Sequence, residues 1–96
     1  MLTWEEDIRK DQTGTVVSES YTAKVPYWGE ASVRPHIHHP GEMFLDCLAL
    51  GIDTHPLGRV DAIDALNPAE RVLLRTLKDH AVWCLEAMVM IGNPEG

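Results

Sequence analysis

The densest run of chemically able side chains is His36-Ile37-His38-His39-Pro40-Gly41-Glu42. On an extended strand His36 and His38 point the same way, two rises apart. Two imidazoles so placed can grip one divalent transition metal, and Glu42 can complete a facial set. The simpler reading puts His36 and His38 on the polar face of an edge strand, with Pro40 and Gly41 opening a helix. Nothing else in the chain looks catalytic. There is no glycine-rich phosphate loop, and Ser18, Ser20 and Ser32 lack a nucleophile elbow. His80 and Cys84, at i,i+4, fall on an apolar helical stripe, where packing outweighs a base–nucleophile role.

A second group is acidic. Glu42, Asp46, Asp53, Asp61 and Asp64 stand between Gly41 and Leu66 against a single cation, Arg59. Read as helical, Glu42 and Asp46 share one face and Asp61 and Asp64 another, at a cost of about a few tenths of a kcal/mol per like-charged pair. An anionic patch of this kind speeds association with a cationic partner and can occupy a surface built for phosphate. Its blander alternative is a solvated face, partly neutralised by Arg71, Arg75 and Lys78. Acid/base catalysis does not suit it, because exposed aspartates on one face have nothing to separate their pKa values. Apolar anchors for a partner are at hand in Tyr27 and Trp28, at a turn, and in Trp83.

Two resemblances attach to this middle segment. His36 and His38 followed by Glu42, with Gly29 upstream and Gly51 downstream, resemble the first metal motif of the cupins. That resemblance implies a metal-binding β-barrel; the chain departs from it in the helical character of Pro68 to Ile91 and in lacking a later histidine for the second motif. Arg34-Pro35, His39-Pro40-Gly41-Glu42-Met43 and Leu48-Ala49-Leu50-Gly51-Ile52 resemble the opening of host-inhibition antitoxins, which are helix-turn-helix proteins. That resemblance implies DNA reading. Here Pro56 and Gly58 fall where the motif's second helix would run, and Asp61 and Asp64 replace the basic and polar residues of a recognition helix.

The elements that must position these residues read as follows. Thr3-Trp4-Glu5-Glu6 has the capping-box pattern and predicts a short helix from Trp4 to about Lys10. Thr15 to Val25 and Ala31 to His38 read as two antiparallel strands around a turn at Pro26-Tyr27-Trp28-Gly29. After Pro40-Gly41, Phe44, Cys47 and Leu48 recur at helical spacing, with Gly51 suited to the C′ position and Ile52 to the apolar contact beyond it. Leu57, Val60, Ile63 and Leu66 predict a further helix from about Pro56 to Leu66. Asn67-Pro68-Ala69-Glu70 has the residues of a helix start. A long helix then runs from Pro68 to about Ile91, stopped by Gly92-Asn93-Pro94. Its apolar stripe is Leu73, Leu77, Ala81, Cys84, Leu85, Met88 and Ile91. From Ala81 to Ile91 only Glu86 is charged, and a helix apolar most of the way round is either central to its domain or covered by another chain.

Together these predict a small single α+β domain over residues 1–96: a two-stranded antiparallel hairpin packed on three to four helices, with a long C-terminal helix. The chain carries 15 acidic side chains and 8 Lys and Arg, a net charge of −7, which disfavours a nucleic-acid backbone as partner. An apolar content of 45% excludes wholesale disorder. No run reaches the ~18 apolar residues of a membrane span, and the acidic start does not fit a signal peptide. Cys47 and Cys84 read as two small buried hydrophobes of a reducing cytoplasm.

The functional expectation is a cytoplasmic, non-enzymatic regulator or inhibitor, of the phage or mobile-element kind, that blocks the basic surface of another protein. Glu42, Asp46, Asp53, Asp61 and Asp64 supply the charge, and Tyr27, Trp28 and Trp83 the anchors. It calls for no cofactor and no direct contact with nucleic acid or membrane, and it admits a homodimer. The alternative is a metal-binding module or small metalloenzyme that holds a divalent transition metal on His36, His38 and Glu42.

Overall fold

Among the described residues five strands follow one another as a meander: β1 (Glu5–Lys10), β2 (Val16–Val25), β3 (Gly29–His36), β4 (His39–Cys47) and β5 (Ile52–Gly58). Each runs antiparallel to the next, and the sheet order is β1-β2-β3-β4-β5. A 3-10 turn (Leu48–Leu50) joins β4 to β5. A second (Ile63–Ala65) leads directly into one long helix, α1 (Leu66–Ile91). A computed structural model describes residues 2–92 of the chain.

This corrects the expected architecture. Only the β2–β3 hairpin and the terminal helix stand as read; the three shorter helices are strands and 3-10 turns. The predicted helix 4–10 is β1, paired with β2 from Glu5↔Thr22 onward. Its capping box does not form. Glu70 of α1 instead accepts the Leu2 backbone N–H at 3.1 Å and the Trp4 indole N–H at 2.9 Å, drawing the segment into extended chain. The predicted helix after Gly41 is β4. There Met43, Leu45 and Cys47 alternate toward one face and Glu42, Phe44 and Asp46 toward the other. Phe44 disguised that alternation: it is an apolar residue on the polar face, buried there beside the rings of His36 and His39. The predicted helix 56–66 is the end of β5, a bend and a single 3-10 turn. Pro56 is tolerated because β5 is an edge strand.

Two local signals hold within the wrong elements. Gly51 does adopt the left-handed conformation, φ +74°, and closes a turn, but a 3-10 turn and not a helix. Gly92 does end α1, its N–H bonding the Met88 carbonyl at 3.1 Å; Asn93 and Pro94 lie outside the described residues. Asn67 is not a cap, since the helix begins at Leu66 and puts Pro68 in its first turn, where no N–H is missed.

The core lies between one face of the sheet and the first half of α1. Tyr21 and Val25 of β2, Ala31 and Val33 of β3, Leu45 and Cys47 of β4, and Leu50 and Ile52 meet Ala62, Ala65, Ala69 and Leu73. The three alanines, at 1%, 0% and 0% exposure, bring the 3-10 turn and the first turn of α1 close to the sheet. β1, exposed along its whole length, closes one side with Glu5, Glu6, Asp7, Arg9 and Lys10, charges that discourage pairing with another sheet edge.

The molecule is long, 67 × 21 × 21 Å, with a Cα radius of gyration of 17.2 Å, against about 13 Å for a compact chain of this size. The cause is α1. Its 26 residues span about 39 Å, and the part beyond His80 has no sheet beneath it.

Candidate functional site

α1 changes character at His80. Before it, Ala69, Leu73, Thr76 and Leu77 are buried or half-buried against the sheet; from Ala81 to Gly92 every described residue is exposed. The His80 ring marks the exit. It stacks on Trp28 of the β2–β3 turn, centroids 5.2 Å apart at 29°, and meets Trp83 edge-on at 4.9 Å and 78°. The Trp28 carbonyl also faces the buried Cys47 thiol, 3.8 Å away. Tyr27, next in chain, holds a left-handed backbone (φ +69°) and is fully exposed. Two of the three expected anchors, Trp28 and Trp83, therefore meet through His80, a residue read from sequence only as part of an apolar helical stripe, while Tyr27 stands beside Trp28 in the chain and touches neither.

Beyond this collar the helix presents Val82, Trp83, Leu85, Met88, Val89, Met90 and Ile91 to solvent, from 50% exposed for Val82 to 86% for Met90. The stripe read as core is thus core only at Leu73 and Leu77, because the strands that replaced the expected helices all lie under the other half of α1. Cys84 is exposed, not buried as expected. Among the described residues no helix is long and apolar enough to cross a membrane.

The five carboxylates are not gathered. Asp46 lies on the open face of the sheet, where Arg34 Nε donates to one oxygen and the Thr54 backbone N–H to the other at 2.7 Å. It props up Thr54, a β-branched residue at φ +51°. Glu42 faces Arg59 at 3.6 Å. Asp61 precedes the second 3-10 turn and Asp64 lies within it, just before α1 begins, and both line a shallow hollow with Gly41, Met43 and Arg59. Asp53 borders a separate cleft beside His55, Arg75 and Asp79. The premise that placed these acids on helix faces is gone, and two of the five are engaged by cations of their own chain.

The histidines cluster without converging. His36 closes β3 and pairs with His39, while Ile37 and His38 form the turn between them. His36 and His38 therefore do not share a strand face. The His36 ring lies 5.4 Å from both His38 and His39, and its Nδ1 accepts the His38 backbone N–H at 3.1 Å, leaving only Nε2 for another partner. Glu42 is turned to Arg59. Among the described residues no three His, Cys, Asp or Glu side chains stand where they could hold a metal ion.

No known protein family matches the chain, and neither does any curated protein or solved structure.

Proposed function

We propose that this chain is a non-enzymatic, protein-binding regulator whose docking element is the half-helix from Ala81 to Ile91, framed by Trp28, His80 and Trp83. One observation supports the reading above all. The seven large apolar side chains of the half-helix leave on the order of 900 Å² in water, beyond the roughly 300–600 Å² of the largest apolar patch on a typical monomer. Glu86 is the one charge among these residues, so the element suits a partner that offers an apolar groove to a helix.

The negative charge acts at a distance. Asp61 and Asp64 stand before the start of α1, and Trp83 lies 17 residues past Leu66, about 26 Å along the helix, too far to share one contact. With a net charge of −7 they steer a partner with a basic surface toward the molecule, and the apolar half-helix holds it.

The test is a comparison of captured proteins using three baits: the natural chain, Met88→Glu with Val89→Glu, and Asp61→Lys with Asp64→Lys. The helix pair is expected to abolish capture of a specific partner. The aspartate pair is expected to slow its association and flatten the salt dependence of the rate. If every captured protein survives the helix substitutions, the half-helix is not the docking element.

A further inference from the structure

The β3–β4 hairpin turns on two residues, Ile37 and His38, between the paired His36 and His39. Two-residue hairpins favour turns with a positive φ at the first central residue, because that twist matches the strands. Neither Ile37 nor His38 has one, so the backbone alone holds this turn poorly. The tip is also cut off from the sheet. The next pair of the ladder is Pro35↔Met43, which leaves Pro40, Gly41 and Glu42 unopposed, and Gly41 takes a left-handed φ of +83° within that gap. Residues 36–42 can therefore open without unzipping the strands below.

His36 holds the tip shut. Its Nδ1 accepts the His38 backbone N–H at 3.1 Å, so the neutral ring carries its proton on Nε2. A second proton has only Nδ1 to go to, and there it meets the His38 N–H head-on. The closed tip thus requires a neutral His36. The rings of His36 and His39 each lie 5.7 Å from that of Phe44, a side chain only 5% exposed although it stands on the open face of the sheet. The surroundings give an imidazolium little support. His38 and His39 each stand 5.4 Å from His36 and gain charge in the same pH range. Arg34, two residues back in β3, is a fixed cation that donates to Asp46 of β4. Glu42 of β4 faces Arg59, just past β5, at 3.6 Å. His55 of β5 pairs opposite Leu45 and borders the cleft beside α1. The β2–β3 ladder ends at Tyr21↔Val33, three residues short of His36.

We propose that residues 36–42 form an acid-opened flap. Above the range in which imidazoles gain charge, neutral His36 binds the His38 N–H, and its ring and that of His39 cover Phe44. As pH falls through that range, the proton taken up at Nδ1 breaks the bond and the charged rings repel one another. The tip then swings on Gly41 and uncovers Phe44 on the open sheet face. The flap uses no residue of the apolar half-helix, so it stands or falls apart from the docking reading.

The test is NMR of the full chain from about pH 8 to about pH 5, reading amide exchange and the histidine ring nitrogens. Protection of the His38 amide, relative to its intrinsic exchange rate at each pH, is expected to fall roughly tenfold or more, while the Val33 and Leu45 amides keep theirs. Proton contacts between the Phe44 and His36 rings are expected to fade over the same range. At the alkaline end the His36 ring is expected to be the Nε2–H tautomer. His36→Asn distinguishes a switch from a merely structural turn. Its side-chain oxygen can accept the same N–H two residues on and does not titrate, so His38 protection should persist into acid. His36→Phe keeps a ring beside Phe44 without an acceptor and should leave the His38 amide unprotected at every pH. An Nδ1–H tautomer overturns the proposal. So does His38 protection that is flat across the range in the natural chain or that falls equally in His36→Asn, and so do Phe44–His36 contacts that outlast the bond.

Discussion

Asp46 shows how a carboxylate can look like a binding residue and be a structural one. Its side chain is 15% exposed and divides its two oxygens between Arg34 and the backbone of Thr54, so an Asp46→Ala chain loses a charge-assisted hydrogen bond and the prop under a left-handed threonine. We expect a cost of about 1–3 kcal/mol, read as a lowered urea midpoint, with Asp46→Asn retaining part of it through Thr54. Asp11 is another carboxylate with a defined task. Thr13 donates its hydroxyl at 2.6 Å and its N–H at 2.8 Å, and Thr15 its N–H at 3.1 Å, closing the β1–β2 turn. These bonds, the Thr13 hydroxyl first, hold the Asp11 carboxyl below the usual aspartate range. A carboxyl lowered in the folded state stabilises the fold above its unfolded pKa and ceases to do so as pH falls through its folded one. Protection of the Thr13 and Thr15 amides, relative to the intrinsic exchange rate at each pH, should therefore fall in that acid window, and Asp11→Asn should remove the window's pH dependence. The cysteines divide in the same residue-level way. Burial pushes the Cys47 thiol up, whereas Cys84 is exposed. A thiol reagent at low protein concentration should consume one equivalent quickly and the second only on unfolding; two fast equivalents would contradict the burial of Cys47.

At the scale of the element, α1 is two helices in one. Leu73, 3% exposed, anchors the half that belongs to the domain, and Leu85, 61% exposed, belongs to the half that does not. Leu73→Ala should cost about 2–5 kcal/mol of folding stability, while Leu85→Ala should stay within about 0.5 kcal/mol for the single chain. Equal losses in denaturant unfolding would show that the half-helix packs on its own sheet after all. The strands differ in how openly they declare themselves. β2 and β3 are legible because Val16, Tyr21, Thr22, Val25 and Val33 favour extended chain and a Pro-Tyr-Trp-Gly turn divides them. β1 is not: it is an edge strand of mostly charged residues, and its extended form comes from pairing with β2, which leaves no apolar alternation to read. β4 hides behind Phe44, and β5 behind Pro56 and Gly58, residues acceptable only because that strand lies at the sheet's other edge.

For the whole molecule, the expected site separates into parts that share no surface. Trp28 and Trp83 meet around His80 because the β2–β3 turn lies under the middle of α1. The five acids disperse over the open sheet face, a cleft near Asp79 and the start of the helix. No spacing in the chain could have told these apart, since each depends on which strand neighbours which. A consequence can be measured: because the half-helix stands clear of the sheet, a protease acting on the chain in dilute solution should cut first between Ala81 and Ile91.

The amino-acid sequence by itself determined the properties that need no neighbour: the acidic balance, the β2–β3 hairpin, the long terminal helix with its stop at Gly92, and the excess of apolar residues past Ala81. Those follow from local propensity, period and composition. Tertiary structure alone decided that the middle of the chain is sheet, that Asp46 and Glu42 face cations of their own chain, and that the apolar excess stands in water. The reason is that a short segment's helix and strand tendencies differ by less than the energy of burying one face against the right partner, and the partner is not written in the segment.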